Sequence, residues 1–238
     1  LTLTTDPTFT VSGTPNIASV GANIGGAASG AVGGKLVLSS ATPTINVPGT
    51  SAPVELMIRA NLGDPTPLST LTKSGGGALA LAGTTTVTGA TNVTGGELMI
   101  PGGGVLNTAS LTTSGGTVLS GGSGATVGRI NAPVNVGGDL NPGSLGYPSP
   151  QANPSNTGIL RVNSLNFTGA GGAIGNLVVN INSGTPVAGT THDQVVVDNG
   201  IASDNAETVT IAPASQISSN GTIDADFAGG QSVRIIDV

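Results

Sequence analysis

A single histidine limits the chemistry this chain could perform. His192 is followed directly by Asp193, and any Ser-His-Asp relay would have to run through that pair. Neighbouring residues on a strand face opposite ways, so the two read as a turn histidine beside a turn aspartate. Carboxylate pairs are the next possibility. Asp224 and Asp226 have the i, i+2 spacing that shares one strand face, as acid/base cleavage of a glycoside would need. Asp193, Asp198, Asp204 and Glu207 form a loose cluster of hard oxygen ligands of the kind Ca²⁺ takes. Sugar-processing sites also use aromatic platforms and several cations. The chain has three Phe, one Tyr, no Trp and six Lys plus Arg, so these acids read as solvated turn residues. Tyr147 sits in a proline-rich stretch and is the one aromatic that suggests a contact residue. With Asp193 and Asp198 it makes up the candidate binding set. Lys35 and Lys73 read as single solvated charges. No catalytic residue, cofactor or metal is expected, and the chain is not read as an enzyme.

Two glycine-rich stretches are turns by the same reasoning. Gly25-Gly26-Ala27-Ala28-Ser29-Gly30 lacks the Gly-Lys-Ser/Thr ending of a phosphate loop. Gly121-Gly122-Ser123-Gly124-Ala125-Thr126 has Thr where the calcium-binding β-roll repeat requires Asp. With no Cys there are no disulfides, thiolate metal sites or cysteine nucleophiles. A net charge of −6 disfavours a nucleic-acid partner. No apolar run is long enough to span a membrane as a helix. The chain begins at Leu1 instead of Met, which reads as a processed or trimmed piece.

The elements that carry these residues must be strands. Forty Gly and fifteen Pro interrupt the chain, and Thr, Val, Ser, Asn and Ala fill most of the rest, leaving no stretch suited to a helix of several turns. Disorder is disfavoured, because 37% of residues are hydrophobic and only 8% charged. A core with 2% aromatics suits thin layers of stacked aliphatic side chains better than a sandwich anchored by large rings.

A repeat organises those strands. Gly-Gly followed by alternating aliphatics begins at Gly33, Gly76, Gly95, Gly115 and Gly137, and the last four starts are 19, 20 and 22 residues apart. A period near 20 fits one coil of a parallel β-helix with three short strands and three turns. Each Gly-Gly would supply a corner at positive φ, and the strand after it would turn Leu79 and Leu81, or Leu98 and Ile100, inward. Val87 and Val93 belong to the intervening strands of the same coil. Prolines 142, 148, 150 and 154 mark residues 142–158 as a loop leaving the coils. Residues 1–70 read as irregular β coils or a cap, and 71–238 as the β-helix proper.

The segment Leu71-Thr72-Lys73-Ser74-Gly75-Gly76-Gly77-Ala78-Leu79-Ala80-Leu81-Ala82-Gly83, running on to Gly95-Gly96-Glu97-Leu98-Met99-Ile100, resembles the passenger-associated transport repeat of autotransporters. That repeat has the form Leu-x-Lys-x-Gly-x-Gly-x-Leu-x-Leu-x-Gly, with Gly-x-Leu-x-Val further on. Gly138-Asp139-Leu140-Asn141-Pro142-Gly143 is similar to the step that commonly follows it, and Gly158–Val162 and His192–Val197 look like later strands of such passengers. Two departures stand out: Thr84–Gly89 lacks the aromatic of the family's Asn-Thr-Tyr-Thr-Gly run, and His192 sits where an aromatic is common. The resemblance implies a right-handed parallel β-helix: a Cys-poor passenger stem outside the cell, attached to the outer membrane or secreted.

The expected role is a structural stalk or scaffold that stacks with other coils or copies through unpaired strand edges, up to a filament or layer. An adhesin whose loops contact glycans or a host surface is the alternative. A polysaccharide-active enzyme is a third and weaker reading.

Overall fold

The computed structural model describes residues 2–3, 22–24, 35–38, 40–49, 54–63, 67–122, 125–143, 157–181, 187–198, 209–210, 217–219 and 236–237. Over these residues the chain is all-β. Its strands pair only in parallel, and the one helical element is a short 3-10 turn at Ala170–Gly172. The strands form two sheets, one of fourteen strands and one of eight.

Each strand pairs with its counterpart one repeat away. In the eight-stranded sheet Leu56 lies beside Leu79, Leu79 beside Leu98, Leu98 beside Leu119, Leu119 beside Leu140 and Leu140 beside Leu177. All six leucines are fully buried, forming a continuous ladder along the core. Val87 and Val93 are buried as well, as the period-2 alternation requires. A second ladder in the larger sheet runs Leu36, Leu62, Thr85, Leu106, Ile130, Val162 and Val197. Like shapes stacked in register fill a narrow interior without large rings, and Phe167 is the one aromatic in the described core. This arrangement fits a parallel β-solenoid.

The larger sheet holds two strand sets that join where the chain runs straight through. Thr84–Thr86 and Val105–Asn107 stack on the first half of Val127–Asn135, while Ala90–Val93 and Ser110–Thr113 stack on its second half. Ile159–Asn166 repeats this, and the pairing of the two long strands shifts between Ile130 and Pro133. A bulge at Pro133 thus makes the bend that the short turns Val87-Thr88-Gly89 and Thr108-Ala109 make in the two coils before. Described strands before Leu71 join the same sheets: Ala22–Ile24 pairs with Leu56–Ile58, and Thr44–Asn46 with Leu71–Ser74.

The Gly-Gly corners work in two ways. Gly96 has φ 64°, open to glycine and strained for other residues. Gly138 has no positive φ. It is glycine because a Cβ there would lie 2.0 Å from the carbonyl oxygen of Thr117 in the coil before. Only part of the expectation of positive φ at every corner holds, since close approach of stacked turns explains the others.

Candidate functional site

Two buried charged groups, both expected to be solvated, hold the most polar points of the interior. Lys73 is the first. It follows Leu71 by two residues, so it shares the inward face, stacked between Ile45 and Val93. Its exposure is 0%. The Nζ donates to the carbonyl oxygens of Ser74 and Gly75 at 2.9 Å each and to that of Gly95, one coil on, at 2.8 Å. All three ammonium hydrogens are thereby used. Burial lowers its pKa to about 8, against the opposing pull of Glu55 and Glu97. Reading Lys73 as a solvated charge is therefore corrected: strand parity outweighs the preference of an ammonium for water once three carbonyls are in reach.

Glu55 and Glu97 lie near the same corner. Glu55 is buried, and its Oε2 accepts from the Ala78 N–H at 2.6 Å. Glu97 accepts from the buried Ser120 hydroxyl. Desolvation pushes the Glu97 carboxyl up to about 7, with the Ser120 hydrogen bond opposing, Glu55 adding to the rise and Lys73 reducing it. A serine, an amine of lowered pKa and a carboxyl of raised pKa are the ingredients of acid/base chemistry. Lys73 and Ser120 are sealed from solvent, however, so no substrate reaches them.

Asp193 is the second group, with 0% exposure. It precedes Val195 and Val197 by two and four residues and shares their inward parity. Its Oδ1 accepts from the Gly158 N–H at 2.8 Å, and its Oδ2 from the Asn180 N–H at 2.7 Å and the Asn180 side-chain amide at 2.9 Å. Close by, the Gly143 N–H donates to Asn141 Oδ1 at 3.2 Å. Burial raises the pKa of Asp193 to about 6 against the pull of its hydrogen-bond donors. Gly143 and Gly158 are the two ends of the proline-rich excursion, and Asn180 opens a second one that closes at His192 through an Ile181–His192 bridge. Asp193 therefore ties together the bases of two loops that leave one corner, and Thr157 adds a hydrogen bond to the Gly189 carbonyl at 2.8 Å.

The other expected site residues are not brought together with it. Asp198 is half-exposed and forms an ion pair with Arg161. His192 is buried beside Asp193 instead of lying on an open turn. Tyr147, Asp204, Glu207, Asp224 and Asp226 lie outside the described residues, as do the Gly25–Gly30 turn and most of the proline-rich loop. Among the described residues no three of His, Asp and Glu cluster as a metal site would need, and no helix is long and apolar enough to cross a membrane. Glu55, Glu97 and Lys73 do not stand out as a group in the sequence. The parity of Leu71 and Lys73 was the signal for the lysine, whereas nothing local in the sequence ties Glu55 to a corner twenty residues on.

No family model, curated protein or solved structure matches the chain.

Proposed function

We propose that the chain is a right-handed parallel β-helix acting as a structural stalk or scaffold, of autotransporter-passenger type, at the bacterial surface or outside the cell. The observation that carries this reading is how its interior charges are used. Lys73 and Asp193 are spent on backbone groups of successive coils and loop bases, where they hold geometry and meet no solvent. A parallel ladder of identical leucines is the construction of an extended support, because each coil adds length without changing cross-section. The same logic makes the terminal strand edges partners for further coils or copies. Electron microscopy of the purified protein tests this: rods or end-to-end filaments are expected, and compact isolated particles would sink the proposal. Reconstruction from the same images gives the hand of the helix.

An adhesin is the second reading, favoured by the two excursions that Asp193 gathers at one corner. Replacing residues 144–156 by a short Gly-Ser link should leave the melting temperature within a few degrees while abolishing attachment to cells or glycans. Retained attachment would rule out that loop as the contact.

A further inference from the structure

The described residues hold one half-exposed pair of like charges in direct register. Arg129 and Arg161 face each other on adjacent long strands, flanked in the same column by Val105 and Val196. Neighbouring strands are only about 4.8 Å apart, so the two cations repel. Burial and then the charge of Arg129 hold Arg161 below its ordinary pKa. Only one carboxylate among the described residues pairs with them: Asp198 binds Arg161.

The pair is also held in place with donors to spare. Arg129 Nε donates to Asn131 Oδ1 at 2.6 Å, and Asn131 Nδ2 donates to Asn107 Oδ1 at 2.7 Å, which fixes the guanidinium from one side. The terminal amino groups of Arg129 have no partner among the described residues. Arg161 Nε is buried without a hydrogen-bond partner there. That nitrogen is closed to a ligand, but the half-exposed ends of the two guanidinium groups present an excess positive charge, and guanidinium forks match a carboxylate in two-point geometry.

We infer that Arg129 and Arg161 form a binding site for the carboxylate of an acidic sugar. Asn131 and Asn163, both half-exposed, follow the arginines by two residues on the same strands, and side-chain amides donate and accept as sugar hydroxyls do. The net charge of −6 repels a long polyanion, so the ligand carries one or a few carboxylates on a short or sparsely charged glycan.

Isothermal titration with the trimer of galacturonic acid, with its neutral galactose counterpart and with sodium sulfate tests the assignment. The acidic trimer should bind, more weakly as salt rises, and the neutral trimer should not. R129Q keeps the Arg161–Asp198 pair and should weaken binding about tenfold or more, as loss of a charge-assisted hydrogen bond does, with an unchanged melting curve. R161K should recover part of the affinity that R161Q loses. The proposal is overturned if the wild type does not bind the acidic trimer, or if R129Q binds it as well as the wild type. Equal binding of the neutral trimer, or sulfate binding as tight as the uronate, overturns it too.

Discussion

Lys73 and Asp193 carry opposite charges and do the same work, each collecting backbone groups from segments far apart in the chain. The value of such a group lies in what it satisfies. Replacing Lys73 by Met removes the desolvation cost of a charge and leaves three corner carbonyls short of a donor, so a net loss of about 1–3 kcal/mol is expected in denaturant unfolding. Asp193→Asn turns an acceptor of three donors into a mixed group, and a loss of about 2–3 kcal/mol follows on the same grounds. Both carboxyls of raised pKa bind protons more tightly folded than unfolded. Their contribution is therefore largest in acid and falls as pH rises, from 3.8 to about 6 for Asp193 and from 4.5 to about 7 for Glu97. Lys73 works in the other direction: its penalty stands below about 8 and is relieved as pH rises from there towards 10.5. Denaturant midpoints measured against pH should fall from pH 4 to 7 and recover above 8, and Asp193→Asn should flatten the acid part. The inward direction of both residues was legible, because Leu71 and Val195 set the parity. What a buried charge would bond to was not, since Gly95 and Gly158 are reached only once the coils have stacked.

At the scale of the element, repetition in the sequence translates directly into strand pairing where coils are short. The 19- and 21-residue steps from Leu79 to Leu98 to Leu119 needed no tertiary information beyond stacking. Leu98→Ala should cost about 3 kcal/mol, because its neighbours above and below are held by their own ladders and collapse little into the gap. Gly138→Ala should cost about 2 kcal/mol although no positive φ is lost, since the new methyl meets the Thr117 carbonyl. Thermal unfolding of the two variants checks both values. Beyond Gly138 the repeat stretches: Leu140 pairs with Leu177, 37 residues on, because the proline-rich excursion and the hairpin closed by Thr168 and Ile174 lie between them. Pro133 hides a further departure. Proline ordinarily marks the end of a strand, yet here it sits at the bulge of a nine-residue strand that bends from one strand set into the next.

For the whole molecule, stability is a sum of coils and the contacts between neighbours, so it should be uneven along the axis. Hydrogen exchange should be slowest in the strands from Leu71–Ser74 to Asp139–Asn141, where each coil is covered on both sides by pairs of full length. It should be faster at the amides of Val209–Thr210, which among the described residues pair with one neighbour over two residues.

A ladder of six leucines has no memory of order. Sliding one coil past another by a full turn of the solenoid would set leucine on leucine again, at no cost in apolar contact. The same slide would take Lys73 away from the Gly95 carbonyl and Asp193 away from Gly158 and Asn180, stranding a buried charge each time. The two ions thus act as address labels in an otherwise uniform stack, telling each coil which neighbour is its own.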